Sequence, residues 1–245
     1  MNILAIGNSF SFDASRYLHS IAKADGVSLN IANLFIGGCT LEQHHRNMLS
    51  GKRVYDLQYN GHPTGFHVSL QEALLNRHWD VITIQQGSHM SFRKESYAPY
   101  IIPLMDYVRN CCPEAHILVH QTWSYEDGSE RLHKVAGDAT GAEMFEDIRI
   151  AYENAHTLIH SEGIIPSGAL LRYLLEHGIP KIHEDTFHAS VGLGRYALGL
   201  LWYHMITGRA VSGNTFRDFD KPISEEEIRL AAGYIDSLEP LLHLK

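Results

Sequence analysis

"NILAIGNSFS", residues 2–11, sets a strand-length apolar run directly against a glycine, an amide and two hydroxyls. By itself the segment reads as an ordinary strand-to-helix turn, because Ser and Asn commonly cap helices, and Ser11 is placed for that cap. The alternative is that Ser9 is a nucleophile held at the edge of a sheet. The pattern downstream bears on both questions. After a helical stretch from Phe12 to Asp25 come "VSLNIANLFIGG" (27–38), a short helical pattern from Leu41, and "DVITIQQG" (80–87). A helix around Tyr97–Asn110, "AHILVHQTW" (115–123), a long helix around Glu143–Glu162 and "GIIPSG" (163–168) follow. Short apolar runs of this kind are what parallel strands buried on both faces look like. Their alternation with helices predicts a three-layer α/β/α sandwich with about five parallel strands, organised as a single domain over 1–245. Two further helices, Leu193–Thr207 ending at Gly208 and one opening at the "SEEE" of Ser224, close the chain. The stretch 51–68 reads as an excursion beside the sheet and 124–141 as a long loop.

Composition narrows the function. A chain of 245 residues with 44% hydrophobic and 20% charged content has the balance of a soluble globular protein. Its formal net charge of −8, scattered rather than blocked, offers no field for nucleic acid or an anionic membrane surface. Cys39, Cys111 and Cys112 make neither a disulfide framework nor a CxxC motif. The first residues carry no basic stretch, long apolar run or cleavage site, so no targeting signal is expected, and the compartment stays open.

In open parallel sheets ligands bind beyond the carboxyl ends of the strands. There the chain places "GNSFS", "IGGC" (36–39), "QQGS" (85–88) and "HQTW" (120–123), and ahead of the Leu193 helix it places "DTFH" (185–188). Acyl transfer by serine needs a base, an acceptor that orients the base, and donors aimed at the developing oxyanion. Ser9 fits the nucleophile, His188 the base and Asp185 its orienter. The N–H groups of Ser9 and of Gly38 (or Gly37), with the Gln86 amide, fit the donors.

That ordered set resembles the SGNH (GDSL-like) hydrolases, and "IGGCTLEQH", "IQQGS" and "HQTW" resemble a bacterial branch of largely unassigned substrates. The resemblance implies a flavodoxin-like sheet and ester hydrolysis through a covalent acyl-enzyme. It also implies Ser9 as nucleophile, Gly38 as an oxyanion donor, and Asp185 and His188 as the rest of a triad. Two departures stand out: "GNS" replaces the usual "GDS", and "QQGS" replaces "GxND". Related carbohydrate acetylesterases carry a glutamine before glycine in this block, which favours Gln86 as the donor and leaves Gln85 and Ser88 as alternatives.

Other patterns fail on mechanism. "GLGRYA" (192–197) does not follow a first strand, so no dinucleotide is expected. The histidines of "HEDTFH" are five apart and would not share a helix face, and His156 and His160 lack a third ligand. No metal or cofactor is expected. Cys39 reads as a small apolar filler, Ser167 as a helix cap, and no G-x-S-x-G is present. Trp123 and Tyr125, with Tyr55, Tyr59, Phe66 and His67, either stack on sugar rings or close the core. The expectation is a serine esterase that removes small acyl groups, acetyl above all, from a carbohydrate or polyol. The alternatives are a catalytically silent carbohydrate binder and a lipase or thioesterase.

Overall fold

The computed structural model describes residues 1–244. Its strands are β1 (Asn2–Gly7), β2 (Asn30–Phe35), β3 (Tyr55–Tyr59), β4 (His62–Val68), β5 (Val81–Ile84), β6 (His116–His120) and β7 (Gly163–Ile165). They form one sheet in the order β4-β3-β2-β1-β5-β6-β7. The strands β2, β1, β5, β6 and β7 run parallel, as the apolar runs predict, and Ile3 to Ile6 at the centre are fully buried. The chain passes from β1 to β2 on one side and later returns to β5 on the other. The carboxyl end of β1 is therefore the switch point where such sheets open a crevice.

The segment 51–68 is not an excursion beside the sheet but its continuation. Strands β3 and β4 add antiparallel to β2, joined by Asn60–Gly61 with φ of 50° and 80°. Asn-Gly tolerates this left-handed pair, and such a two-residue turn matches strand twist.

The helices are α1 (Ser9–Ser15), α2 (Leu18–Ala24), α3 (Leu41–Ser50), α4 (Leu70–Leu75), α5 (Ala98–Cys111), α6 (Glu130–Ala136), α7 (Gly141–Ile159), α8 (Ser167–Glu176), α9 (Leu193–Thr207) and α10 (Glu225–Asp236). One layer gathers α1, α2, α8 and α10 around α9; the other gathers α3, α4 and α7 around α5. Apolar on nearly every side, α9 is buried from Tyr196 through Thr207, as a helix without a polar face should be. The 12–25 pattern is two helices, interrupted at Arg16–Tyr17, where Asp220 holds both side chains. The expected loop 124–141 contains α6, which Ser129 caps at Leu132 N and Gly137 ends at φ 65°. Among the described residues no helix is long and apolar enough to cross a membrane.

Candidate active site

Each residue of "GNSFS" has a separate task. A Cβ on Gly7 would lie 2.1 Å from Ser11 Oγ, so only glycine leaves room for the turn. Asn8, not Ser11, is the N-cap of α1: Asn8 Oδ1 accepts from Phe10 N at 2.9 Å, while Asn8 N donates to Ser11 Oγ at 3.0 Å. Phe10 stacks on Trp123 with centroids 4.0 Å apart. Ser9, half-buried, takes no part in the cap and its hydroxyl is left free for another partner.

That hydroxyl meets the late Asp-x-x-His. Ser9 Oγ lies 2.9 Å from His188 Nε2, and His188 Nδ1 lies 2.8 Å from Asp185 Oδ2. A carboxylate only accepts, so Nδ1 carries the proton and Nε2 faces the serine O–H as an acceptor. Asp185 Oδ1 also accepts from the N–H groups of His188 at 3.0 Å and Phe187 at 3.4 Å, a turn that fixes acid and base together. Partial burial pushes the Asp185 carboxyl up, but these bonds and the His188 charge outweigh it and hold it below the usual range.

The loop is pinned from several sides. Thr186 sits at φ 81°, a strained conformation for a β-branched residue, with its carbonyl held by Glu126 N at 2.8 Å. Trp123 Nε1 donates to Phe187 O at 2.7 Å, and the Phe187 ring lies 3.8 Å from that of His188. Asp13, one turn along α1, accepts from Ala189 N at 3.0 Å and from Arg195 Nε at 2.9 Å. Burial pushes its carboxyl up to about 6, against the pull of Arg195, His188 and the Ala189 N–H. Sequence reasoning missed Asp13, although its spacing of four from Ser9 was a usable signal.

The N–H groups of Ser9 and Gly38 have no acceptor among the described residues. Gly38, exposed at φ 64°, turns the chain after β2, and Gly37 is exposed beside it. A Cβ on Gly87 would meet Gly38 O at 3.0 Å and Cys39 O at 3.1 Å, so the loops after β2 and β5 are in direct contact.

Gln86, expected to complete the donor set, and its alternatives Gln85 and Ser88 are each engaged with other partners. Gln86 Nε2 donates to Ser96 Oγ at 3.0 Å and Ser96 O at 3.3 Å. Its Oε1 accepts from Leu41 N at 2.8 Å and Gly87 N at 2.9 Å. Gln86 is thus a buried cross-brace between loops rather than a group facing Ser9. Ser88 Oγ pairs with Tyr125 OH at 2.9 Å.

Gln85 belongs to a directed relay. Ser167 Oγ donates to His120 Nε2 at 3.0 Å, and His120 Nδ1 donates to Gln85 Oε1 at 2.5 Å. Gln85 Nε2 donates to Asn8 Oδ1 at 2.7 Å, and Asn8 Nδ2 donates to Cys39 O at 3.0 Å. Burial lowers the His120 pKa to about 3 and keeps the ring neutral, as one donor and one acceptor require. Ser167 therefore feeds this relay instead of capping α8, whose N-cap, Pro166, makes no side-chain hydrogen bond.

Among the aromatics, Trp123, Tyr125 and Tyr55 are core residues, at most 2% exposed. Tyr59, Phe66 and His67 line a depression of about 300 Å³ near α4 that contains none of the cluster. Beside Asp185 is another depression, of about 590 Å³, lined by Glu130, Arg131, Lys134, Val135, Asp185 and Thr186. Among the described residues no group of acidic, His and Cys side chains is arranged to hold a metal ion.

Solved structures with this architecture include a DUF4886 family protein from Bacteroides uniformis, 29% identical, covering 96% of this chain and 93% of that one at a TM-score of 0.88. A candidate SGNH hydrolase from Slackia heliotrinireducens is 20% identical and covers 83% and 97% at 0.58. An acetylxylan esterase from Geobacillus stearothermophilus is 16% identical and covers 82% and 91% at 0.54. The fold is that of the SGNH hydrolases. No functionally curated protein matches the sequence. The DUF4886 model, a domain of unknown function, matches residues 2–234, and the chain belongs to that family.

Proposed function

We propose that the protein is a serine esterase that removes small acyl groups, acetyl above all, from a carbohydrate or polyol. The observation that carries the reading is the unbroken line Ser9 Oγ, His188 Nε2, His188 Nδ1, Asp185 Oδ2, with contacts of 2.9 and 2.8 Å. In this reading His188 takes the Ser9 proton as Oγ attacks the ester carbonyl, and Asp185 holds the tautomer that makes this possible. The oxyanion falls to the N–H groups of Ser9 and Gly38, two donors already without protein partners. Collapse of the tetrahedral intermediate expels the alcohol, which takes its proton from His188. Water, deprotonated by the same imidazole, then attacks the acyl carbon; the bond to Ser9 Oγ breaks, the acid leaves, and the imidazolium returns its proton to Oγ.

The charged lining beside Asp185, in which Val135 is the one apolar side chain, suits a hydroxyl-rich acceptor better than a lipid tail. Likeness to an acetylxylan esterase favours the same class. The test is turnover of a short-chain aryl ester and of acetylated sugars, with Ser9→Ala as the control. Loss of turnover and of fluorophosphonate labelling in the variant supports the reading. A wild-type protein that neither turns over nor labels is the silent binder instead, and a preference for long acyl chains points to a lipase or thioesterase.

A further inference from the structure

Ser9 and Asp13 are four residues apart on α1, so their side chains share one helix face. On the facing loop His188 and Ala189 are consecutive. The two pairs meet as adjacent rungs: Ser9 Oγ to His188 Nε2 at 2.9 Å, and Ala189 N to Asp13 Oδ2 at 3.0 Å. The other oxygen of Asp13 accepts from Arg195 Nε of α9 at 2.9 Å, and the Arg195 guanidinium lies over the Phe12 ring. The Asp13 side chain is 1% exposed, whereas that of Asp185 is 50% exposed. Burying a carboxylate is costly even beside a cation, and a helix can be joined to a loop by apolar groups at lower cost. The triad as described leaves this charge without a task.

We propose that Asp13 is a second acid serving the base: a positioning residue that sets His188 against Ser9 from the nucleophile's own helix, through Ala189, and whose charge favours the imidazolium. The inference rests on the esterase reading. Asp13 does not touch the ring; it acts through the backbone next to it and through its field. Water beside Asp185 softens that acid's field, while the enclosure of Asp13 preserves its own. The charged groups facing Asp13 are Arg195 from α9 and His188 from the loop, and beyond Arg195 lie Glu184 and Asp220. With its carboxyl raised to about 6, Asp13 is ionised at pH 8 and half protonated near pH 6, so its charge is present above that pH and fades below it.

The experiment compares wild type, Asp13→Asn and Asp13→Ala on a short-chain aryl ester, recording kcat, KM and the pH profile of kcat/KM, with fluorophosphonate labelling in parallel. Asp13→Asn keeps an acceptor for Ala189 N and removes the charge. It is expected to lower kcat about tenfold with KM unchanged, to move the acid limb to lower pH, and to slow labelling in proportion. Asp13→Ala also frees the loop and is expected to lower kcat about 10²-fold. Should the alanine variant fail to fold by circular dichroism, the asparagine variant carries the test. A wild-type kcat in Asp13→Asn, or a lower kcat with the acid limb unmoved, overturns the proposal while leaving the esterase reading intact. A wild type that is itself neither active nor labelled fails the esterase reading and takes this inference with it.

Discussion

Gln85 Nε2 donates to Asn8 Oδ1 at 2.7 Å and joins the end of β5 to the cap of α1. Because that oxygen also takes Phe10 N, the amide is fixed with its nitrogen toward Cys39 O, in the turn that carries Gly38. An amide is the group this position demands here, since its neighbours are a donor on one side and a carbonyl on the other.

Asn8→Asp tests that demand. Its second carboxylate oxygen would face the Cys39 carbonyl in a site 1% exposed. The folded-state pKa of the new acid should rise above its unfolded value, so the variant is most stable in acid and loses stability as pH rises through that pKa. The deficit at pH 8 should be about 1–3 kcal/mol in urea unfolding, shrinking at pH 5. Equal stability at both values would contradict the assignment of the amide.

Gln86→Ala should behave as loss of a brace. Removing four bonds to Leu41, Gly87 and Ser96 should cost about 2–4 kcal/mol in unfolding experiments. The effect on kcat should stay under about tenfold, whereas loss of an oxyanion donor costs about 10²–10³. A large kcat loss with unchanged stability would restore the amide to the catalytic set.

Asp185→Asn keeps the shape of the turn but favours the wrong tautomer of His188. By analogy with serine triads, kcat on a short-chain ester should fall about 10⁴-fold with little change in KM. A variant within tenfold of wild type would remove Asp185 from the mechanism.

Asp13 has a thermodynamic signature independent of turnover. Its folded-state pKa of about 6 exceeds the unfolded value of about 3.9, so the folded protein holds the proton more tightly between them. The associated stability is present below about pH 4 and is lost as pH rises through about 6, amounting to about 3 kcal/mol. Unfolding of wild type and Asp13→Asn across pH 4–8 should therefore diverge, with the slope present only in wild type. Parallel curves would place the carboxyl's pKa near its unfolded value.

The meeting of Ser9, His188 and Asp185 was legible because each residue follows a local signal: Ser9 a strand end, Asp185 and His188 a spacing of three on one turn. The parallel strands were legible because burial on both faces leaves unbroken apolar runs. The orientation of Gln86 was not, since it depends on Ser96 and Leu41, and the letters "QQGS" do not say toward which neighbour an amide turns. The hairpin and α6 were within reach: Asn60–Gly61 marks one, and Ser129 with Gly137 brackets the other. Asn8 was passed over as the cap because Ser11 is an equally good residue type three positions later. What separates them is where the helix begins: α1 opens at Ser9, so Asn8 Oδ1 takes Phe10 N while Ser11 closes the capping box from inside the first turn.

Gly87 limits how this scaffold can change. A methyl group there would press on Gly38 O and Thr40 Cγ2 at 3.0 Å and on Cys39 O at 3.1 Å, so a larger side chain at this position would have to push the loops after β2 and β5 apart. Under the esterase reading, adaptation to bulkier acceptors is channelled to the α6 side, where most side chains from Asp127 to Thr140 face water and insertions disturb little. On that reading, relatives that differ in what they accept should diverge in length there and keep the contact at Gly87 constant.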